Sequence, residues 1–364
     1  MKRVLHIIDH PGLGGAQRVV ADIVNHSDDA FLIALRYRNK SIRQIHTAKD
    51  KYLLTPARSL PWLVISLLRL PWIIRKNRVE IVHCHLFLSW LAGLWASIFF
   101  LGQKTPIFIF HEHDSVRLEK WYYRFLIKMA GRSGKIVAVS EYIKNVLLLL
   151  INKNEDIPVV KNAIDLDYFH PIKDGMPEKQ QSFPVPIFEN GMVLGFASRL
   201  IGYKGWEYIL ELADLLKDEN IFFLIAGDGA DYKIIESMII QEGLESKVRL
   251  LGYVDQMDIF YNSIDALLVT TQKDAFGLVQ LESQACGVPV IVFDSPSSRE
   301  IQGDHSLIIV PNGDIKKMAE YVRKIKNDKA YKKYLIELGL KNAQNYSLKN
   351  YLKQIDYLYE SLAS

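Results

Sequence analysis

Cysteine is scarce in this sequence. Among 364 residues there are two, Cys84 and Cys286, and each stands inside an apolar run. Two such thiols build neither a disulfide framework nor a thiolate metal cluster, so we predict a protein of a reducing compartment. The first residues, MKRVLHIID, reach a Pro-Gly turn without the long apolar region and small-residue cleavage site of an export signal. We therefore expect a cytoplasmic protein.

A strong charge imbalance is also missing. The formal net charge is +4 at pH 7, which is too small for the concentrated basic face of a dedicated nucleic-acid binder. We therefore expect no nucleic acid as a partner. Hydrophobic residues make up 49% of the chain, which is enough for the cores of two domains of ordinary size.

Long apolar runs are few. The segment Leu86 to Gly102 is uncharged, but its seventeen residues are at the lower limit of what spans a bilayer. It follows one strand-like run, Glu80 to Cys84, and precedes another, Ile107 to Phe110, which is the rhythm of a βαβ unit. We predict a buried crossover helix, with a membrane span as the alternative.

What the sequence does contain is two series of short apolar runs that alternate with helix-length amphipathic segments. The predicted strands are Val4 to Ile8, Phe31 to Leu35, Ile81 to Cys84, Ile107 to Phe110, Ile136 to Val139 and Pro158 to Val160, then Val193 to Phe196, Ile221 to Ala226, Val248 to Leu251, Ala266 to Thr270, Pro289 to Phe293 and Leu307 to Val310. This alternation predicts, for each series, a parallel sheet covered on both faces.

The expected architecture is therefore α/β, with two doubly wound, Rossmann-like domains that face each other across a cleft. Ligands of such sheets bind beyond the carboxyl ends of the strands. The predicted boundaries are 1–170 for the first domain, 171–190 for a proline-rich linker, 191–346 for the second domain, and 347–364 for a helix that packs back on the first domain.

The most informative stretch is Lys273 to Val290. Two carboxylates, Asp274 and Glu282, stand eight residues apart, and Gly277 lies between them. A glycine at a helix start lets backbone N–H groups approach an anion, and the second carboxylate lies about two turns along that helix. A sugar nucleotide has the matching order of sugar, diphosphate and ribose. The alternative is a surface acid in a turn followed by a solvent-facing glutamate.

This stretch resembles the E-x7-E segment of the family 4 retaining glycosyltransferases, which are group 1 glycosyl transferases of the two-domain B type. The matching residues are Phe276, Gly277, Leu278, Glu282, Ala285, Gly287, Pro289 and Val290. Asp274 replaces the first Glu of the family pattern, and Ser283 replaces an Ala. The resemblance implies that Asp274 and the backbone of residues 276–278 orient the sugar of the donor, and that Glu282 holds its ribose.

Further motifs of the second domain carry the same resemblance. Arg199 and Lys204 are two cations that straddle a loop after a predicted strand, and such a pair can close on a diphosphate from two sides. They match the family's G-R-L-x-x-x-K-G, with Ser198 in place of the first Gly. A structural ion pair is the alternative. The resemblance also implies donor contacts from a G-x-G turn and from the loop that meets the nucleotide base, with the residues Gly227, Tyr253 and Val254.

A glycine-rich turn follows the first predicted strand. Its residues, Gly12-Leu13-Gly14-Gly15, permit close backbone approach to a phosphate or a sugar before a helix. A dinucleotide fingerprint needs another glycine at position 17, where Gln17 stands, so we do not expect NAD. The resemblance instead implies that Gly14 and Gly15 border both the donor and the acceptor.

Four histidines fall at the ends of predicted strands: His83, His85, His111 and His113. Imidazole is a ligand of Zn²⁺, but we expect no metal, on the argument that residues on opposite faces of a strand cannot point into one site. The pair His113-Asp114 resembles the family's H-D pair, which implies that His113 contacts the sugar near the reacting carbon. A histidine that caps the next helix is the alternative.

The segment Ser115 to Lys135 is rich in cations. They recur at spacings of three and four, which predicts the basic face of one amphipathic helix, and they are Arg117, Lys120, Arg124, Lys128, Arg132 and Lys135. Such a helix can lie on an anionic membrane. A solvated face of an ordinary outer helix is the alternative.

The resemblance implies a retaining, metal-independent glycosyltransferase of the hexosyl type without a cofactor. It implies transfer from a UDP- or GDP-sugar to a glycan or lipid-linked acceptor, in bacterial cell-surface polysaccharide synthesis at the inner face of the cytoplasmic membrane. The implied catalytic residues are His113, Arg199, Lys204 and Asp274. Two alternatives stay open: a sugar-nucleotide epimerase of the same fold, and a non-catalytic protein that binds sugar nucleotides.

Overall fold

The computed structural model describes residues 2–10, 14–36, 52–54, 59–103, 106–115, 118, 120–151, 157–172 and 191–363. The chain divides into two compact units: unit 1 comprises Met1–Ala163 and Leu348–Ser364, and unit 2 comprises Ile164–Ser347. Each unit holds one six-stranded sheet whose strands pair in parallel. The prediction of two parallel-sheet α/β domains is confirmed.

The sheet of unit 1 has the strand order β3-β2-β1-β4-β5-β6. Its strands are β1 (Val4–Ile8), β2 (Ala30–Ala34), β3 (Tyr52–Leu54), β4 (Ile81–His85), β5 (Ile107–Glu112) and β6 (Lys135–Ala138). All five residues of β1 are buried, as expected for a central strand covered on both faces. The edge strand β3 was missed, and the strand predicted at Pro158 to Val160 is wrong, because only Val159 forms an isolated bridge there, to Ala138.

The helices of unit 1 before its last segment are α1 (Gly15–Asn25), α2 (Leu60–Lys76), α3 (Phe87–Ser97), α4 (Trp121–Ser133) and α5 (Glu141–Ile151). Helix α3 joins β4 to β5, so the crossover helix predicted in the long apolar run is present. Its burial is one-sided, because Trp90 is buried while Leu91 and Trp95 are exposed. Among the described residues, no helix is both long enough and apolar enough to cross a membrane.

The basic helix is shorter than the sequence predicted. Only Arg124, Lys128 and Arg132 lie on α4; Lys120 precedes its first turn and Lys135 begins strand β6, while Arg117 lies outside the described residues. Gly134 ends the helix, and a Cβ at this glycine would lie 2.2 Å from the carbonyl oxygen of Phe108. The backbone must therefore pass close to β5 at this point, which stops the helix and starts the next strand.

The sheet of unit 2 has the order β12-β11-β10-β7-β8-β9. Its strands are β7 (Met192–Ala197), β8 (Ile221–Ala226), β9 (Val248–Gly252), β10 (Ala266–Val269), β11 (Val290–Phe293) and β12 (Ile308–Val310). Its helices are α6 (Trp206–Leu215), α7 (Tyr232–Gln241), α8 (Met257–Asn262), α9 (Leu278–Ala285), α10 (Pro296–Ile301), α11 (Ile315–Asn327) and α12 (Lys329–Gln344). The strand order reverses between β7 and β10, and this switch point is where open α/β sheets bind ligands.

The change from unit 1 to unit 2 comes earlier than the predicted linker start at residue 171. Residues 164–172 already belong to unit 2, because Phe169 packs edge-on against Tyr261 and the backbone N–H of Ile172 donates to Asn262 Oδ1 at 2.8 Å. Residues 173–190 of the predicted linker lie outside the described residues.

The last helix, α13 (Leu348–Ala363), belongs to unit 1. Its buried side chains include Tyr351, Ile355 and Tyr359. The ammonium group of Lys2 donates to the carbonyl oxygen of Tyr359 at 2.9 Å, and the Tyr359 hydroxyl lies 2.8 Å from Nδ1 of His83. The helix thus closes over the strands that carry the histidines.

Candidate functional site

In unit 2, the loops that follow β7 and β8 pack directly on each other. Gly227 has a φ of +150°, and a Cβ there would lie 1.9 Å from the carbonyl oxygen of Ser198. Its N–H donates to the carbonyl oxygen of Gly252 at 2.7 Å. No side chain fits between these backbones, so glycine at 227 is required by the close approach of three strand ends.

The loop after β7 is also fixed to the end of β10. Gly205 starts α6 in the left-handed conformation, with a φ of 75°, and a Cβ there would lie 2.6 Å from the carbonyl oxygen of Thr270. The Thr270 hydroxyl donates to the Gly205 carbonyl at 2.7 Å. These contacts hold Lys204, the residue before this glycine, at the switch point between β7 and β10.

Lys204 faces the predicted sugar-binding carboxylate. Its Nζ lies 3.7 Å from Oδ2 of Asp274, and the two side chains are 14% and 29% exposed. The alternative for Arg199 and Lys204 was a structural ion pair. Lys204 does form an ion pair within unit 2, and its partner is Asp274. At 3.7 Å this contact is too long for a hydrogen bond, so it occupies none of the N–H donors of the ammonium.

Tyr203 contacts both predicted diphosphate-binding cations. Its hydroxyl accepts a hydrogen bond of 3.0 Å from a terminal nitrogen of Arg199, and the ammonium of Lys204 lies 5.8 Å from the centre of its ring. Sequence analysis did not select Tyr203. Its position between the two cations in the chain was the available signal, because a tyrosine there can bridge a guanidinium and an ammonium.

The Asp274 loop leads into the N-terminus of α9. The backbone N–H of Ala275 donates to Asp274 Oδ1 at 2.9 Å. Phe276 is buried with its ring 5.8 Å from that of Tyr346, and Gly277 precedes the helix with a φ of +99°. A left-handed residue here favours glycine. The first N–H groups of any helix have no acceptor within the helix, and here that of Gln280 donates to the Gly277 carbonyl at 3.1 Å.

Glu282 is buried within unit 2 and is 8% exposed. Its Oε2 accepts a hydrogen bond of 2.8 Å from the hydroxyl of the buried Tyr261. The alternative of a solvent-facing glutamate is therefore wrong. Tyr261 was not predicted, because in the sequence it is one aromatic residue of an apolar run.

The remaining predicted donor residues lie at two strand ends. At the end of β9, Gly252 has a φ of 70°; after it, the Tyr253 side chain is exposed and Val254 is buried. In unit 1, Gly14 and Gly15 stand at the start of α1 after β1. The preceding residues of that turn, Gly12 and Leu13, lie outside the described residues.

The predicted histidines come together with a fifth, which sequence analysis missed. We call His6, His83, His85, His111 and His113 the histidine cluster. The centres of the His83 and His85 rings are 4.1 Å apart, and those of His111 and His113 are 4.3 Å apart. Residues two apart on a strand lie on the same face, so the expectation that these histidines cannot point into one site was wrong.

Burial sets the protonation of this region. It lowers the pKa of His6 and His113 to about 3, and it lowers the pKa of His85 as well, with further lowering by the neighbouring histidines. Burial raises the pKa of Glu112 to about 8, although the Tyr123 hydroxyl donates to its carboxyl group at 2.6 Å. At neutral pH the imidazoles are therefore uncharged, and His113 is not a source of positive charge.

Known proteins with similar sequence or structure were compared with the chain. Two family profiles match: Glycosyltransferase Family 4 over residues 13–168, and Glycosyl transferases group 1 over residues 177–342. An uncharacterized glycosyltransferase of Methanocaldococcus jannaschii is 24% identical, over 100% of this chain and 99% of its own length. The capsular polysaccharide biosynthesis glycosyltransferase CapM of Staphylococcus aureus is 24% identical, over 77% and 76%.

Among solved structures, Anabaena HepE in complex with UDP and glucose has the same fold. It superposes with a TM-score of 0.82 at 16% identity, over 99% of this chain and 100% of that one. The range that matches the group 1 profile, residues 177–342, contains Lys204, Asp274 and Glu282.

Proposed function

Because the chain belongs to the family 4 glycosyltransferases of group 1, we propose that it is a retaining, metal-independent hexosyltransferase that uses a nucleotide diphosphate sugar. The observation that carries the proposal is the placement of Lys204 beside Asp274, at 3.7 Å, where the strand order of unit 2 reverses. A cation and a carboxylate side by side match the two parts of such a donor, since the diphosphate is anionic and the sugar carries hydroxyls.

In this mechanism the bond between the anomeric carbon and the β-phosphate oxygen breaks, and the acceptor oxygen bonds to the same face of the sugar. Negative charge grows on the departing diphosphate. Arg199 and Lys204 stabilise that charge, as fixed cations do for transferring phosphate groups. The proton of the acceptor passes to an oxygen of the leaving phosphate, so no side chain has to act as a general base.

The other donor contacts follow the same assignment. Asp274 and the N–H groups that begin α9 bind the sugar and its adjoining phosphate, since helix N-termini attract anions. Glu282, held by Tyr261 at 2.8 Å, accepts from the ribose hydroxyls. His113, with its pKa lowered to about 3 by burial, is a neutral hydrogen-bonding partner for a sugar hydroxyl.

Uracil is the expected base of the donor, because Anabaena HepE is described in complex with UDP and glucose. Polysaccharide synthesis is the expected setting, because the relative CapM serves capsular polysaccharide biosynthesis. The test is product detection by mass spectrometry from panels of UDP- and GDP-sugars, each incubated with and without a bacterial lipid extract. A glycosylated lipid product from one donor supports the proposal. Conversion of the donor alone into an isomer would indicate an epimerase, and binding without turnover would contradict catalysis.

We further propose that unit 1 docks on an anionic membrane to reach a lipid-linked acceptor. Three helices carry many exposed large apolar side chains: Leu60, Trp62, Val64, Ile65, Leu68 and Trp72 on α2, Leu91 and Trp95 on α3, and Trp121, Tyr122 and Phe125 on α4. The cations on these helices are Arg69, Arg75, Lys76, Arg124, Lys128 and Arg132, and within the three helices there is no acidic residue.

The three helices are neighbours, so their apolar side chains form a connected surface. The indole N–H of Trp95 on α3 donates to the carbonyl oxygen of Leu67 on α2 at 3.2 Å. Phe87 on α3 packs edge-on against Tyr122 on α4, with ring centres 5.9 Å apart. Helices that expose aromatic residues and carry cations but no acidic residue match a negatively charged lipid surface, because the aromatic rings insert at the headgroups and the cations meet the lipid charge.

Flotation with vesicles of graded anionic lipid content tests this docking. Replacing Lys120, Arg124 and Lys128 by Gln removes roughly 1 kcal/mol per cation, so we expect binding to fall by roughly a hundredfold at low salt. The matched control is the Gln triple at Lys329, Lys333 and Lys341, which are exposed on α12 of unit 2. Binding that ignores lipid charge, or falls equally in both triples, would contradict the surface.

A further inference from the structure

The histidine cluster places several unpaired imidazole nitrogens inside unit 1. His6, His83 and His85 are fully buried. Among the residues that the structure describes, Nε2 of His6 and Nε2 of His83 have no hydrogen-bond partner. A buried polar atom without a partner costs free energy comparable to a lost hydrogen bond. The cluster therefore destabilises the fold of unit 1 unless its free nitrogens bind a ligand.

Three of these rings form a compact group of candidate ligands. His6, His83 and His85 can each present one nitrogen such that the three atoms lie within 4.8 Å of one another. Nδ1 of His6 lies 3.0 Å from Nε2 of His85. Two imidazole nitrogens bound to one tetrahedral zinc ion, at about 2.0–2.1 Å each, are about 3.3 Å apart. The side chains are therefore close to the required spacing.

The outer nitrogens of the group already have partners that would orient the rings. Nδ1 of His83 lies 2.8 Å from the Tyr359 hydroxyl, and Nδ1 of His85 lies 3.1 Å from Nε2 of His113. Both contacts leave Nε2 of the same ring for a metal. Histidine ligands of metals are commonly held in this way, with the second ring nitrogen donating to a neighbouring acceptor.

We propose that His6, His83 and His85 supply three ligands of one Zn²⁺ ion in unit 1. The strand pairing supports it, because His6 on β1 stands directly beside His83 on β4 and His85 follows on the same face of β4. An ion there ties the two central strands together, and through Tyr359 it also ties in α13. The site lies in unit 1, whereas Arg199 and Lys204 lie in unit 2.

A second group, His85, His111 and His113, also offers three nitrogens within 4.8 Å. His85 is common to both groups. The first group is favoured because its three rings are fully buried and Tyr359 orients one of them, whereas His113 is partly exposed. Substitutions at residues other than His85 therefore distinguish the two possible ligand sets.

The test is zinc binding by the full chain, purified without a histidine tag and stripped with a chelator. We expect isothermal titration and elemental analysis after gel filtration to give one Zn²⁺ per chain, and bound Co²⁺ to show the intense visible absorption of tetrahedral coordination. His83→Gln and His6→Gln should abolish the bound equivalent. The matched control, His26→Gln, changes an exposed histidine of unit 1 and should retain it, as should His113→Gln.

Stability provides a readout that does not depend on glycosyl transfer. Zinc that binds only the folded protein raises Tm, so we expect a rise for the wild type and His26→Gln but none for His83→Gln. Wild-type protein that retains no zinc would overturn the proposal even if the variants fail to fold. Loss of zinc in His113→Gln with retention in His6→Gln would overturn the assigned ligands.

Discussion

The two units share one topology and use it differently. Read from β3 in unit 1 and from β9 in unit 2, both sheets have the succession third, second, first, fourth, fifth and sixth strand. In unit 2 the candidate groups stand in loops at the strand ends, above a core cluster of apolar side chains. In unit 1 ionisable side chains lie inside the sheet, and the outer helices expose large apolar residues. The same scaffold thus holds the proposed diphosphate-binding residues at its strand ends in one unit and a buried histidine cluster in the other.

The buried polar groups of the units differ in kind. In unit 2 an amide and hydroxyl network is paired: Gln284 Nε2 donates to the Ser306 hydroxyl, and Asn342 Nδ2 donates to Gln284 Oε1, both at 2.8 Å. In unit 1 the buried polar groups include four imidazoles, those of His6, His83, His85 and His111, and the carboxyl of Glu112. Neutral amides keep their bonds at every pH, whereas imidazoles gain a charge in acid. This contrast predicts that the stabilities of the two units depend differently on pH.

The largest expected difference between the units is in their stability at low pH. Folded His6 and His113 have a pKa of about 3, against about 6.5 in an unfolded chain. Their contribution to stability is full above pH 6.5 and is lost as the pH falls toward 3, because the unfolded chain takes up protons that the folded unit excludes. Glu112, with its pKa raised to about 8, offsets only part of this. In metal-free protein we expect unit 1 to unfold first, with a loss on the order of several kcal/mol.

Tryptophan fluorescence reports this difference directly. Five of the six tryptophans are in unit 1, namely Trp62, Trp72, Trp90, Trp95 and Trp121. Trp206→Phe removes the reporter of unit 2 and serves as the control. We expect the fluorescence transition of unit 1 at a higher pH than the loss of the remaining far-ultraviolet circular dichroism. A single transition shared by both signals would mean that the histidine cluster does not set acid stability.

Removing a cation from unit 2 should have the next largest effect. We expect Lys204→Ala or Arg199→Ala to lower kcat by roughly a hundredfold or more, the scale of losing one charge-stabilising contact in a transition state. The matched control is Lys217→Ala, because Lys217 is an exposed lysine of the same unit, paired with Asp214 at 2.9 Å. Steady-state rates with a confirmed donor decide the matter. Near wild-type kcat in both variants would show that these cations do not meet the diphosphate.

Sequence patterns predicted most of unit 2, for identifiable reasons. Each of its strands is an apolar run bounded by turn residues, and the observed strand ends differ from the predicted ones by one residue at most. The loops around Lys204 and Asp274 were found because their residues are consecutive in the chain. Such local motifs need no knowledge of strand pairing.

The contacts that were missed depend on pairing across distant segments. His6 was missed because only the register of β1 on β4 brings it beside His83, and the register of β4 on β5 brings His85 beside His111. Tyr261 was missed because its role arises from the packing of α8 on α9. A sequence gives the alternation of faces along one strand, but not which residue of the next strand stands opposite.

Asp274→Glu should change donor choice more than nucleotide affinity. The longer side chain moves the carboxylate by one methylene relative to Lys204, now 3.7 Å away, and to the sugar. A change of one methylene in a specificity pocket is worth about 1–3 kcal/mol, so we expect a shift of roughly tenfold in the ratio of kcat/KM between two sugars of one nucleotide. UDP affinity, measured by calorimetry, should stay near the wild-type value. An equal loss for UDP and UDP-sugar would place Asp274 outside the sugar site.

The smallest expected effect tests whether the buried core of unit 2 tunes its ligand site. Tyr261→Phe removes the hydroxyl that donates to Glu282 Oε2 at 2.8 Å and leaves the ring in place. Without that bond Glu282 is less well held, and a typical hydrogen bond is worth about 1 kcal/mol, so we expect nucleotide affinity to fall roughly fivefold. In a double-mutant cycle with Glu282→Gln the two losses should not add, because the residues act through one contact. The control, Tyr334→Phe, changes an exposed tyrosine of α12 and should leave affinity unchanged. Additive losses would show that Tyr261 supports folding alone.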